Sequence, residues 1–207
     1  MTNERTVTNF GRSMASRATG AQPADDDDWQ QLLDGVGARG LTVRGAGASY
    51  SDAALNSGGT VATTHGNHRI RGFDEVSGVV DVDAGVRLAE LCALTVPRGW
   101  LPPVLPGSGQ VTVGGALAAD VHGKNHPSAG SFARHVLSAR LLAPATGILT
   151  VGRHRHPEAF WATAGGLGLT GVVLSARLQL RRVATGRLVT DSHRCTDLSG
   201  VLATMAA

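Results

Sequence analysis

The chain has 207 residues and ordinary globular hydropathy, enough for one domain with a substantial core, and we expect one main folded unit. Its 18 Arg and single Lys form no basic run interleaved with aromatic residues, so a nucleic-acid partner is not expected. The two cysteines lie far apart, which argues against a disulfide framework or a zinc site. There is no long apolar run for a membrane span and no signal-peptide pattern, so we expect a cytoplasmic protein or one peripheral to the cell envelope.

The N-terminal residues are polar and carry no hydrophobic period. We therefore expect a loose lead-in over residues 1–24. The acidic run of residues 25–28 comes directly before Trp29, and carboxylates favour the positive end of a helix dipole. This run predicts the start of a helix and does not predict a metal site.

A short predicted strand, residues 41–43, leads directly into a Gly-rich loop, residues 44–52. Small residues allow successive backbone N–H groups to turn toward one phosphate. The loop lacks the Gly-Lys-Ser/Thr of an NTPase and the third Gly of a dinucleotide fingerprint. An anion-binding loop and a plain turn without a ligand both fit this segment.

Later segments predict strands and short helices in no regular βαβ order, so the fold class is α+β. The clearest strand, residues 172–180, alternates apolar with polar residues and predicts a sheet with one solvated face. The other predictions are strands at 79–83, 136–142, 148–151 and 188–189, and helices at 88–94, 157–163 and 198–205.

A second Gly-rich segment, residues 106–123, contains the pair Gly114–Gly115. Two adjacent glycines would weaken a helix by roughly 1 kcal/mol each relative to Ala, so another requirement must favour them. Contact between the backbone and a flat ligand is one such requirement.

This segment ends in a polar loop that holds His122, Lys124, Asn125 and His126. Hydrogen-bond donors, a cation and an imidazole suit an anionic or hydroxylated substrate, although a solvated loop has the same composition. No carboxylate or cysteine cluster completes a metal-ligand set, so no metal is expected.

Taken together, these segments resemble the vanillyl-alcohol-oxidase-type, or PCMH-type, FAD-binding family, and the resemblance extends from about residue 39 to residue 182. The motifs that carry the resemblance are Arg44-Gly45-x-Gly47-x-Ser49-Tyr50, Val104-Leu105-Pro106-Gly107, Val111-Thr112-Val113-Gly114-Gly115-Ala116, His122-Gly123-Lys124-Asn125-His126 and Phe160-Trp161-Ala162-Thr163. The resemblance implies a two-subdomain FAD-binding domain over residues 25–183, truncated before a substrate domain that residues 184–207 would begin.

The same resemblance implies FAD as the cofactor. Relatives with covalent flavin carry a His where this chain has Ala48, so non-covalent binding is expected. The implied cofactor-binding residues are Val43, Arg44, Gly45, Ala46, Gly47, Ala48, Ser49, Tyr50, Ser51, Asp52, Ala53, Gly107, Thr112, Val113, Gly114, Gly115, Ala119, Asp120, Val121, His122 and Val173.

The implied reaction is hydride transfer to the flavin from a CH–OH group of a sugar or polyprenyl-phosphate sugar. His122 and Lys124 would be the catalytic residues, and Asn125 and His126 would belong to the substrate loop. Two alternatives stay open within the resemblance: an inactive flavin-binding module, or half of a split enzyme whose complementing chain carries the substrate domain. A binding protein for another phosphate-containing nucleotide is a third possibility.

Overall fold

The computed structural model describes residues 3–206, in which eleven strands and six α-helices are found. The strands are β1 (Glu4–Thr8), β2 (Ala15–Ala21), β3 (Leu41–Arg44), β4 (Thr60–Thr63), β5 (Ile70–Asp74), β6 (Val79–Asp83), β7 (Trp100–Leu101), β8 (Val136–Ala143), β9 (Gly147–Val151), β10 (Val172–Gln179) and β11 (Arg181–Arg182). The helices are α1 (Asp26–Asp34), α2 (Leu88–Thr95), α3 (Val113–Ala118), α4 (His126–Ala129), α5 (Pro157–Thr163) and α6 (Leu198–Ala206).

Two sheets divide the chain into two subdomains. The first has the order β1-β2-β4-β3, in which β1 and β2 form an antiparallel hairpin and β2, β4 and β3 run parallel. The second is antiparallel throughout, with the order β5-β6-β10-β8-β9. This arrangement confirms the α+β class and the two-subdomain architecture.

The larger core covers one face of the antiparallel sheet. Apolar side chains from β6, β8 and β10 pack there against α2, α3 and α5. A smaller core joins the two subdomains, because Trp29 of α1 and Ala62 of β4 pack against Leu142, Val172 and Leu174 of the antiparallel sheet. Helix α1 therefore fixes one sheet relative to the other.

The central strand β10 differs from the regular alternation that its sequence predicts. Val172 and Leu174 belong to the smaller core, whereas Val173, Ala176 and Leu178 belong to the larger one. The pairing with β8 shifts register between Val173 and Ser175, and such a bulge exchanges the faces of a strand. The predicted solvated face is consequently wrong at Ser175, which is 3% exposed.

The predicted loose lead-in is wrong for β1 and β2, which pair over all five residues of β1. β2 also extends the first sheet beside β4 through residues 19–21, and the small side chains of Ser16 and Ala18 are buried. Such small residues carry little hydrophobic signal. The predicted strand at Leu188 and Val189 is also wrong, since both side chains are at least 90% exposed and belong to no described strand.

The other predicted elements are confirmed to within a few residues. Helix α1 begins after Asp25, whose carboxylate accepts a hydrogen bond from the Asp28 N–H at 2.9 Å. Helix α2 continues into a 3-10 turn, and Gly99 ends it in the left-handed conformation. Among residues 3–206, no helix has the length and hydropathy needed to cross a bilayer.

Trp29→Ala should destabilise the protein by about 3–5 kcal/mol, because it leaves a cavity in the core that joins the two sheets. Trp161 provides a matched control, since it is 48% exposed, and Trp161→Ala should cost only about 1 kcal/mol. Urea denaturation followed by circular dichroism measures both. Equal losses for the two variants would contradict the role given to α1.

Candidate functional site

A groove of about 160 Å³ lies where the two subdomains meet. One wall comes from β3 and the Gly-rich loop that follows it, and the other from α3 with the residues around it. The lining residues are Val43, Gly45, Ala46, Gly47, Ala48, Ser49, Ala53, Ala54, Val111, Thr112, Gly115, Ala118, Ala119, Val121 and Leu167. Nearly all of these side chains are small or apolar, so the groove suits a ligand that lies flat against backbone.

The groove continues into a narrower space of about 60 Å³. Val43, Gly45, Thr112, Gly115, Ala118 and Leu167 line both parts, so they form one continuous site. Beyond these shared residues, the narrower part is lined by Thr64, Gly114, Thr163, Gly168, Gly171 and Val173.

The Gly-rich loop is a source of free hydrogen-bond donors. Within the described part of the chain, no protein acceptor bonds to the backbone N–H of any residue in 46–51. Backbone N–H groups left without a protein partner bind water or an anionic ligand. A run of six such groups beside an apolar groove favours the anion-binding interpretation of this loop over the plain turn.

The beginning of α3 differs from this loop because its N–H groups already have acceptors. Val113 N–H donates to Val86 O and Gly114 N–H donates to Ala84 O, both at 2.8 Å. Gly115 N–H donates to the Thr112 hydroxyl at 3.2 Å, which caps the helix. Val113 itself is buried in the larger core and does not line the groove.

The pair Gly114–Gly115 meets two separate requirements. A Cβ on Gly114 would lie 2.8 Å from the Ala84 Cβ, so this glycine permits close packing of α3 on the segment after β6. A Cβ on Gly115 would have only the Thr112 hydroxyl within 4 Å and would project into the groove. Ligand contact therefore accounts for Gly115, and core packing accounts for Gly114.

Arg44 stabilises the loop through hydrogen bonds to two neighbouring segments of the chain. Its guanidinium donates to Thr8 O at 2.7 Å and to Ala54 O at 3.2 Å. Burial lowers the pKa of the Arg44 guanidinium below its ordinary value, yet an arginine stays protonated at neutral pH. Gly47, with φ of +71°, passes so close to this guanidinium that a Cβ there would overlap it.

The structure brings thirteen of the expected cofactor-binding residues together in the groove. They are Val43, Gly45, Ala46, Gly47, Ala48, Ser49, Ala53, Thr112, Gly114, Gly115, Ala119, Val121 and Val173. The expected residues that do not line it are Arg44, Tyr50, Ser51, Asp52, Gly107, Val113, Asp120 and His122. Asp120 has a structural contact instead, because its carboxylate accepts from the Ala133 N–H at 2.9 Å.

The polar loop continues from the groove wall. Val121 lines the groove and His122, the next residue, is exposed beside it. The rings of His122 and His126 lie 5.3 Å apart, edge to face, and Lys124 is exposed between them in sequence. The Asn125 amide donates to Pro103 O at 2.9 Å, so Asn125 anchors the loop.

In the described residues, no three His, Cys, Asp or Glu side chains form a group able to hold a metal.

Sequence reasoning did not single out the residues after α5 that line the groove, namely Leu167, Gly168 and Gly171. They dock onto α3, since Leu167 N–H donates to Ala118 O at 2.8 Å. A possible signal was the glycine run of residues 165–171, in which Gly171, at φ +142°, leaves no room for a Cβ against Leu142 O.

These features fit FAD by their chemistry. A flavin nucleotide combines a flat apolar ring system with a doubly anionic pyrophosphate. The groove combines apolar walls with free N–H donors along one edge, and Gly115 keeps it open.

Gly115→Val should weaken FAD binding by at least about tenfold, because the new side chain enters the groove. Gly114→Val should instead destabilise the fold by about 2 kcal/mol, because the new side chain collides with Ala84. Quenching of flavin fluorescence measures affinity, and thermal unfolding without FAD measures stability. The same profile for both variants would contradict the separate roles of the two glycines.

Comparison with known proteins agrees with this geometry. A family model described as FAD binding domain matches residues 20–152. The chain is 46% identical over 171 residues to decaprenylphosphoryl-beta-D-ribose oxidase of Mycolicibacterium smegmatis, covering 80% of this chain and 35% of that protein. It is 54% identical over 118 residues to an uncharacterized protein of Streptomyces coelicolor, covering 57% of this chain and 32% of that protein.

A more distant relative is the mitochondrial L-galactono-1,4-lactone dehydrogenase 1 of Oryza sativa subsp. japonica, 30% identical over 141 residues, which are 68% of this chain and 24% of that protein. The chain thus spans about a quarter to a third of the length of these relatives. Its cofactor is FAD, and the chain belongs to the PCMH-type FAD binding domain family.

Proposed function

We propose that this chain is the flavin-binding part of an oxidoreductase that oxidises a CH–OH group of a sugar or polyprenyl-phosphate sugar. The observation that carries the proposal is the continuity of three features: the free N–H groups of residues 46–51, the apolar groove, and the His122–His126 loop at its edge. The names of the mycobacterial and rice relatives support a sugar-derived substrate.

In this proposal the loop of residues 46–51 holds the FAD pyrophosphate through its backbone N–H groups. The apolar walls around Val43, Val121 and Val173 contact the rest of the cofactor. Binding is non-covalent, since the methyl group of Ala48 offers no atom for attachment. Bound FAD supplies a hydride acceptor, the flavin N5 atom.

The chain's own residues then orient the substrate and accept its proton. His122, exposed directly after the groove-lining Val121, accepts the hydroxyl proton of the carbinol. Lys124 attracts an anionic group such as a sugar phosphate, and His126 supports the His122 ring from the side. Asn125 keeps the loop in place through Pro103.

A second candidate is a chain that binds flavin but needs a complementing chain, with the substrate domain, for turnover. Exposed apolar side chains on α6 and just before it favour this candidate: Leu188, Val189, Leu198, Leu202 and Met205 are each at least 58% exposed. Leu198, Leu202 and Met205 are spaced four and three residues apart and so lie along one face of α6, and an exposed apolar face is typical of a surface that another domain covers.

Two measurements on the purified 207-residue chain test the proposal. Titration with FAD should show saturable quenching of flavin fluorescence, and no uptake of FAD would refute it. Anaerobic mixing of the FAD-loaded chain with a polyprenyl-phosphate pentose should bleach the flavin absorbance. If the chain takes up FAD without bleaching, and bleaching occurs once the substrate domain of a relative is added, the second candidate is identified.

His122→Ala should lower the rate of flavin reduction by about a hundredfold or more, because the proton acceptor is lost. FAD affinity should stay within about twofold, since His122 does not line the groove. His154→Ala serves as the control: His154 is exposed and outside the site, so both quantities should stay unchanged. If FAD affinity fell as much as the rate of flavin reduction in the His122 variant, the division between cofactor and substrate residues would be contradicted.

A further inference from the structure

The turn of the N-terminal hairpin, residues 8–14, contacts the Gly-rich loop at three points. Arg44 donates to Thr8 O at 2.7 Å, Phe10 N–H donates to Ser49 O at 2.9 Å, and Asn9 Nδ2 donates to Tyr50 O at 2.7 Å. The rings of Phe10 and Tyr50 also meet edge to face, with centroids 5.4 Å apart. This turn precedes the region that the family model matches, which begins at residue 20.

Asn9 lies at the centre of these contacts and is only 4% exposed. Its carboxamide oxygen accepts from the Met14 N–H at 3.2 Å, and its Nδ2 donates to Ser13 Oγ at 3.0 Å as well as to Tyr50 O. The backbone of Asn9 also bonds to Met14 O and accepts from the Arg12 N–H. One side chain therefore closes the turn and joins it to the loop.

These contacts decide which way the loop's peptide groups face. In a trans peptide, the carbonyl of one residue and the N–H of the next point in opposite directions. Because the Ser49 and Tyr50 carbonyls face the hairpin, the N–H groups of Tyr50 and Ser51 point away from it. Both of these N–H groups are among those without a protein acceptor in the described chain.

We propose that the hairpin turn holds the Gly-rich loop in the conformation that binds the FAD pyrophosphate, with Asn9 as the positioning residue. Gly45 and Gly47 give the loop conformational freedom, so without external contacts it would lose conformational entropy on binding an anion. The hairpin removes part of that cost before the ligand arrives. The inference rests on the proposed pyrophosphate site.

Asn9→Asp in the full chain tests this proposal. Aspartate keeps an acceptor for the Met14 N–H but cannot donate to Tyr50 O, so the Asn9 contact with the loop is lost while the backbone bonds of the turn remain. We expect the dissociation constant for FAD, measured by fluorescence quenching, to rise about tenfold. Phe10→Ala, which removes a ring that is 57% exposed and should leave the fold intact, is expected to raise it about threefold.

Asn56→Asp is the matched control. The Asn56 Nδ2 also donates to backbone carbonyls, those of Arg39 and Gly40, but at the opposite end of β3 from the loop. It should lower the melting temperature without FAD and change the dissociation constant less than about twofold.

Wild-type affinity in folded Asn9→Asp, or in Phe10→Ala if Asn9→Asp does not fold, would overturn the proposal. An equal loss of affinity in Asn56→Asp would also overturn it, because the effect would then be general destabilisation of the sheet. A wild-type chain that binds no FAD would instead refute the proposed function itself.

Discussion

The groove depends on one close approach between two backbone segments, at Gly45 and Thr112. A side chain at Gly45 would overlap the Thr112 hydroxyl, which caps α3 through the Gly115 N–H. Gly45 follows β3 at the edge of the first sheet, whereas α3 packs on β6 and β10 of the second. Their contact therefore makes the Gly-rich loop and the apolar wall face the same space, which neither sheet encloses alone.

The two Gly-rich segments contribute to this site in opposite ways. In the loop after β3, the backbone N–H groups of residues 46–51 have no acceptor among residues 3–206, which suits an anion. At α3 the N–H groups of Val113 to Gly115 are bonded within the protein, and the glycines serve close packing and an open groove. Similar composition thus supplies hydrogen-bond donors in one segment and space in the other.

The relative position of the sheets depends on β10 and α1. The bulge after Val173 turns Val172 and Leu174 toward Trp29, while Ala176 and Leu178 face the larger core. A strand with regular alternation would present all four side chains to one face. Val173 also reaches the narrower part of the groove, so the strand that joins both cores contributes to the site.

The sequence by itself determined most local elements and the nature of the ligand. Capping, turn and periodicity signals predicted the Asp25 cap, the turn that ends at Gly99 and the β8–β9 hairpin to within a few residues. The order of the Gly-rich motifs indicated FAD through their resemblance to a known family. Tertiary structure alone decided the β1–β2 hairpin, the bulge in β10, the separate roles of Gly114 and Gly115, and the place of Leu167 in the groove. Each of these depends on contacts between segments distant in sequence: Asn9 bonds to Tyr50, Gly114 packs on Ala84 and Leu167 bonds to Ala118. Periodicity and propensity describe only neighbours along the chain, so they carry no signal for such contacts.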